Sequence, residues 1–246
     1  MTSTAVSRLT ALAVLLLLWQ LLAAALGRPV LPPPTRVIVQ FLTELPRSLG
    51  WHFAASLARV VASIGLAIAT AAPLGLILGQ SARLNRIVEP FIYLLMPVPK
   101  VALVPVVLLL LGVGDIPKVV IISMILFFQI LVLVRDAAAG LRRELLISVR
   151  SLGAGRRALF RFVYLPASLP AILTAIRQSI GTAVAVLYVA ELFATRYGLG
   201  YYIYLHGSTL FDYPRMYAGV LAMSLLGFGL YAGVDAAQRR LPAHAW

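Results

Sequence analysis

Four ionisable side chains, Arg59, Lys100, Arg177 and Glu191, stand inside long apolar stretches of this sequence. A charge in such surroundings is costly and persists where it pairs, binds or conducts, so these residues are the first candidates for a site. Lys100 follows Pro97 and Pro99, where an ammonium either faces a water-filled path and attracts an anionic solute or pairs with Glu191. Arg177 has a headgroup, a carbonyl or a carboxylate as its possible partner. Arg59 lies about a turn from the end of its stretch, close enough for the guanidinium to snorkel outward in a structural role. Acid–base or nucleophilic catalysis needs titratable groups gathered together. The histidines His52, His206 and His244 are instead scattered through polar or interfacial segments, as surface residues are. With no cysteine and only eight acidic residues, thiol and metal chemistry have little to draw on.

The elements that must carry these residues are helices in a bilayer. Of 246 residues, 61% are hydrophobic and 12% charged, and the mean hydropathy is +0.96, more apolar than a soluble domain requires. Apolar runs long enough to cross about 30 Å of hydrocarbon occur at Leu9–Leu26, Ala55–Gly79, Phe91–Leu111, Val119–Val134, Ala167–Phe193 and Met216–Val234. Arg8 before the first run and Ala23-Ala24-Ala25 near its end are compatible with a signal peptide, but the run exceeds the usual core of one and no secreted domain follows. Pro97, Pro99 and Pro105 predict a broken or kinked third span, because each ring removes a donor and clashes with the preceding turn. After Pro32-Pro33-Pro34, the positions Val37, Ile38, Phe41, Leu42 and Leu45 predict a short amphipathic helix at the interface.

A net charge of +13 could suggest nucleic acid, but such a binder gathers basic residues beside aromatics on a solvated surface. Here they sit at the ends of apolar runs. With the N-terminus inside, twelve of the 21 basic residues fall in the cytoplasm and six outside, Lys118 among the six. That excess supports an N-in, C-in orientation. Tyr197, Tyr201, Tyr202 and Tyr204 read as interfacial belt aromatics, in a loop that could also meet a partner.

Between the fourth and fifth spans, Arg135 to Pro166 holds seven arginines, yet Leu141, Leu145, Leu146, Val149, Leu152, Phe160 and Val163 recur at steps of three and four. The segment reads as short amphipathic helices interrupted at Gly153, where glycine takes the positive φ of a sharp turn. Gly153 is followed by nine residues and then Val163, Tyr164, Leu165 and Pro166. This resembles the cytoplasmic-loop signature of binding-protein-dependent ABC importer permeases. Arg150-Ser151-Leu152-Gly153-Ala154 resembles the core of that motif, and Leu165-Pro166-Ala167-Ser168-Leu169-Pro170 resembles the start of the family's next span. The motif's glutamate and two alanines are replaced by Ile147, Ser148 and Val149. Leu31-Pro32-Pro33-Pro34, Pro97-Val98-Pro99-Lys100-Val101-Ala102, and Glu191 followed by Gly198-Leu199-Gly200-Tyr201 are similar to the nitrate, sulfonate and taurine branch.

The resemblance implies an all-α integral membrane protein with six transmembrane helices in the type I importer permease fold, located in the bacterial inner membrane. It implies no cofactor on this chain, with ATP and magnesium held by two cytoplasmic ATPase partners. A second permease copy or paralogue and an external solute-binding protein complete the assembly. The coupling helix implied by the family falls around Arg150 to Phe160, making Arg150, Ser151, Leu152, Gly153, Ala154, Gly155, Arg156, Phe160, Leu165 and Pro166 the residues that meet the ATPase. Lys100, Arg177 and Glu191 remain candidates for the translocation path of a sulfonate, taurine, nitrate or related small solute. The organisation expected is residues 1–54 as first span and external segment, 55–238 as transporter domain with the coupling loop at 135–166, and 239–246 as a cytoplasmic tail. An ion-coupled carrier is the alternative from another class, but it needs no such basic, glycine-broken segment, and no internal repeat is visible. A membrane enzyme lacks its cluster of titratable groups.

Overall fold

The computed structural model describes residues 2–141, 143–153, 155–193 and 195–240. In chain order the helices are α1 (Thr2–Leu26), α2 (Pro34–Glu44), α3 (Gly50–Gln80), α4 (Ala82–Leu95), α5 (Val104–Leu111), α6 (Asp115–Ala139), α7 (Arg143–Ser151), α8 (Arg156–Leu159), α9 (Leu165–Leu192), α10 (Leu199–Tyr204) and α11 (Tyr213–Arg239). Among the described residues there is no strand. Among the described residues five helical stretches are long and apolar enough to cross a membrane, or six when the bent pair α4 and α5 counts as one span. The proline-rich third span is indeed broken: its halves meet at 77°, with a single 3-10 turn, Lys100–Leu103, before α5. Pro97 and Pro99 cannot donate to a continuing helix, which is the physical reason for the break.

Two junctions share one device. The amphipathic α2 does not stand apart; a π-helical turn, Leu45–Leu49, joins it to α3, so one helical stretch runs over Pro34–Gln80. Likewise α8 passes through a π-helical turn, Phe160–Tyr164, into α9. Pro46 and Pro166 lie in or just beyond these turns, where an extra residue accommodates the missing donor without ending the helix.

The chain forms two compact units, Met1–Ala55 with Arg196–Leu225, and Ser56–Thr195 with Leu226–Trp246. In the first, α1 presents Leu9, Leu12, Leu15, Leu18 and Leu22 outward, apolar all round as lipid contact demands. Its core gathers Val37, Leu49, Leu199, Tyr202, Ala218 and Ala222. The Tyr202 ring, expected in an interfacial belt, belongs to that core, because Gly219 lets α11 approach it: a Cβ there would lie 2.8 Å from the ring.

In the second unit α6 packs along α9, burying Ile122, Leu126 and Ile130 on one side and Ala183, Leu187 and Ala190 on the other. α3 closes on α6 through Gly75 and Gly79. A Cβ on Gly79 would meet the Arg135 carbonyl oxygen at 2.5 Å and the Ala138 Cβ at 2.6 Å. Small residues are what allow two membrane helices to approach backbone to backbone.

Candidate functional site

At one end of the second unit α3, α6 and α9 bring four charges together. Arg59 on α3 is 3% exposed and Glu191 on α9 is fully buried, and Nη1 donates to Oε1 at 2.7 Å. Ser56 Oγ lies 2.8 and 2.9 Å from the two carboxylate oxygens of Glu191. On its other edge Arg59 donates from Nε to Oδ1 of Asp115, the first residue of α6, at 2.8 Å, and Nη2 forms an ion pair with the same oxygen at 2.6 Å. One turn along, Lys118 is buried and its Nζ donates to the Gly114 carbonyl at 2.7 Å. Desolvating these groups is tolerable because each charge has a partner. Arg59 therefore does not snorkel. Serine one turn before it and α9 alongside hold the guanidinium inward, and Lys118, expected outside the membrane, is enclosed as well. Asp115, Ser56 and Lys118 carry no local signal that would single them out in sequence; the three-helix crossing alone unites them.

Lys100 does not pair with Glu191. Its Nζ turns back to the carbonyls of Leu95 at 2.7 Å, Met96 at 3.1 Å and Val98 at 3.4 Å, and stands 4.5 Å from the centre of the Phe128 ring. An ammonium has three donors, and these three carbonyls are left over where α4 stops. The charge thus caps the broken span. Of the partners open to Arg177, a carboxylate is the one found: Nη1 lies 3.4 Å from Asp235 Oδ1 on α11, while Arg239 holds the other oxygen at 2.8 Å. A recess of about 250 Å³ between α3, α4 and α6 is lined only by apolar side chains, among them Leu74, Leu78, Phe91, Phe127 and Leu131; it offers a polar solute no hydrogen bond.

The basic segment has the opposite character. α7 ends at Ser151, whose Oγ donates to the Ser148 carbonyl at 2.8 Å. The turn closes with the Gly153 N–H on the Arg150 carbonyl at 2.9 Å, and Gly153 has φ +83°, the left-handed value expected of it. Helix therefore does not run through Arg150 to Phe160. It stops before this glycine and resumes at Arg156, because a left-handed residue cannot continue a right-handed helix. Arg150, Ser151, Leu152, Gly153, Gly155, Leu165 and Pro166 are exposed, and Phe160 is half-buried. Ala154 lies outside the described residues. Ile147, where the signature has glutamate, is exposed and apolar, as are Leu152 and Phe162. Leu159, Val163 and Tyr164 are buried and anchor the segment.

The first unit holds a second polar group. Glu44, on a helix whose Leu42 and Leu45 face outward, is buried. It accepts from Arg215 Nη2 and Nε at 3.2 and 3.3 Å and from Ser48 Oγ at 3.2 Å. Arg215 also reaches Asp212 at 3.2 Å. His206, expected at the surface, is buried against Tyr202 with ring centroids 4.3 Å apart. Burial holds its imidazole below the ordinary histidine range, as do Arg215 and His52, while Asp212 and Glu44 oppose the shift. Burial, with the Glu44 carboxylate adding, pushes the Tyr202 phenol up to about 12. His52 Nδ1 accepts from the Gly198 N–H at 3.0 Å, and His244 lies outside the described residues. Among the described residues no group of acidic, histidine or cysteine side chains could hold a metal ion.

Comparison with known proteins identifies the family of this helical bundle. Residues 71–243 match the family model described as binding-protein-dependent transport system inner membrane component. The chain is 34% identical over 241 residues to the taurine transport system permease protein TauC of Escherichia coli (strain K12), covering 94% of this chain and 86% of that protein. It is 28% identical to the putative aliphatic sulfonates transport permease protein SsuC of Bacillus subtilis (strain 168), covering 87% and 79%. An inward-facing structure of the MetNI methionine ABC transporter shares the fold, with a TM-score of 0.68 at 20% identity over 76% of this chain and 93% of that one. These matches decide for the ATP-driven permease over the ion-coupled carrier. The chain belongs to the binding-protein-dependent transport system inner membrane components, the multi-pass, non-catalytic permease subunits of ABC importers.

Proposed function

We propose that this chain forms the path for a small solute, a sulfonate, taurine, nitrate or a related molecule, delivered by an external binding protein. In this reading both termini are cytoplasmic, as the arginine distribution favours. Two ATPase subunits bearing ATP and magnesium receive the segment from Arg150 to Phe160, and a second copy or a paralogue completes the path. The observation that carries the reading is mechanical. Helix runs from Arg157 to Leu192, 36 residues, a rod of roughly 50 Å. The exposed basic segment opens one end of it, and Glu191, bonded to Arg59 and Ser56, lies at the other.

A pull on the docking end thus reaches the buried charges through one stiff element, the kind of connection that coupling between distant sites requires. Ile147, Leu152 and Phe162 supply apolar contact area for the ATPase, and Arg150 and Arg157 supply charge at its rim. The test is Gly153→Val in the reconstituted importer. Valine is strained at φ +83°, so solute uptake per ATP hydrolysed should fall on the order of tenfold, within the range of coupling free energies. Unchanged uptake per ATP would overturn the assignment of this turn.

A further inference from the structure

The imidazole of His206 is buried in the first unit, and no step of the proposed transport uses it. It sits in a π-helical turn, Leu205–Thr209, with its ring against Tyr202 of α10. Its Nδ1 is enclosed and makes no hydrogen bond among the described residues. The charged and titratable groups that act on it are Glu44 on α2, His52 on α3, Asp212 just before α11 and Arg215 on α11. Glu44 and Asp212 both pair with Arg215, and Asp212 Oδ1 also accepts from the Arg215 N–H at 3.2 Å, as an N-cap does. Two carboxylates thus share one guanidinium.

The loop that carries His206 is fastened by its backbone. The Leu210 N–H donates to the Leu205 carbonyl at 2.9 Å, and the Asp212 N–H donates to the His206 carbonyl at 2.7 Å. Phe211, between these donors, has φ +55°, a left-handed value that is costly for a bulky side chain. The closed loop is therefore held against strain. A proton on the imidazole changes the balance. An imidazolium is poorly accommodated where nothing accepts from Nδ1, but once the loop loosens it offers the second carboxylate a cation of its own. Asp212, in the same loop and 32% exposed in its side chain, is the carboxylate placed to take it. Because burial holds the imidazole below the ordinary histidine range, the closed loop takes up a proton less readily than an open one. The closed form prevails at neutral pH and loses ground as pH falls below about 6.5, the ordinary histidine value.

We propose that His206 is a proton-binding site that controls the loop from Leu205 to Asp212. Neutral, it lets Arg215 clasp Glu44 and Asp212 together; protonated, it draws Asp212 away and the loop opens. The ligand is the proton of the compartment that this end of the bundle faces. On the orientation proposed above that compartment is external, and only this assignment rests on the permease reading.

Hydrogen exchange of the full chain, purified as the complex it forms and held in phosphatidylcholine nanodiscs, reads the loop through the Leu210 and Asp212 amides. Corrected for the intrinsic pH dependence of exchange, their protection should fall about tenfold between about pH 7.5 and about pH 5.5, the ratio expected when one imidazole regains its ordinary proton affinity on opening. His206→Gln, neutral throughout, should give the same protection at both values. His52→Gln should keep the parent's response, which separates the two histidines. Where glutamine itself loosens the loop at the higher pH, His206→Phe, which keeps a ring against Tyr202, serves as the neutral variant. Equal protection of the parent at both values, a fall that persists without His206, or a response lost in His52→Gln would overturn the proposal. The measurement needs neither ATP nor solute, so its failure is distinguishable from a failure of the Gly153 test.

Discussion

The arginines of this protein lead two different lives. Arg59, on α3, is enclosed and satisfied by two carboxylates from other helices. Arg150 and Arg157, on α7 and α8, are exposed and make no ion pair among the described residues. The same side chain is a cross-link in one place and an open contact in the other. What differs is solvent. In the dry crossing of α3, α6 and α9 an unpaired charge is expensive and its partners become structural. At the end of the bundle water screens the charge, and pairing within the chain gains little. The buried arginine can hold helices in register, and the exposed ones remain available to a partner.

Glu191→Ala should break that contrast most severely. It takes from the buried Arg59 a carboxylate 2.7 Å away, and removing one partner of a buried pair costs about 3–5 kcal/mol. A drop in the thermal midpoint of the purified complex, accompanied by loss of yield, is the expected readout; Glu191→Gln, which keeps the Ser56 hydrogen bond, should recover part of it. An undisturbed midpoint in the alanine variant would mean that the pair bears no structural weight.

Gly79→Leu tests the seam that brings α3 and α6 to their crossing. The new side chain meets backbone oxygen and Cβ atoms of α6 rather than a movable side-chain tip, so overpacking should cost about 1–3 kcal/mol. A thermal midpoint as high as that of the parent would show that the two helices can part at that point without loss. Arg157→Ala sharpens the other half of the comparison. The melting temperature should move by no more than about 2 °C, while ATPase retention during purification weakens. A large thermal effect with full retention would reverse the roles assigned to the two kinds of arginine.

Much of this was legible in sequence because it depends on local chemistry. The span-length runs, the break near Pro97 and Pro99, and the left-handed Gly153 all follow from backbone rules that act within a few residues. The continuous junctions at Pro46 and Pro166 were not legible, because a proline can end a helix or be absorbed in a wider turn, and neighbouring packing decides which. Partners of charged residues were the least legible. Lys100 was expected to reach a path or Glu191, but the carbonyls freed by its own broken helix are nearer than any carboxylate. His206 and Glu44 were hidden for a related reason: polar residues in polar-looking segments are buried here by helices distant in sequence.

The sequence by itself determined a multi-span helical membrane protein with a glycine-broken basic segment, since hydropathy and backbone stereochemistry need no tertiary information. Tertiary structure alone decided which charges meet. Arg59, Asp115 and Glu191 are separated by many tens of residues, and a salt bridge is a matter of a few ångströms. Only the close approach of α3 to α6 at Gly75 and Gly79, and the packing of α6 along α9, sets that distance.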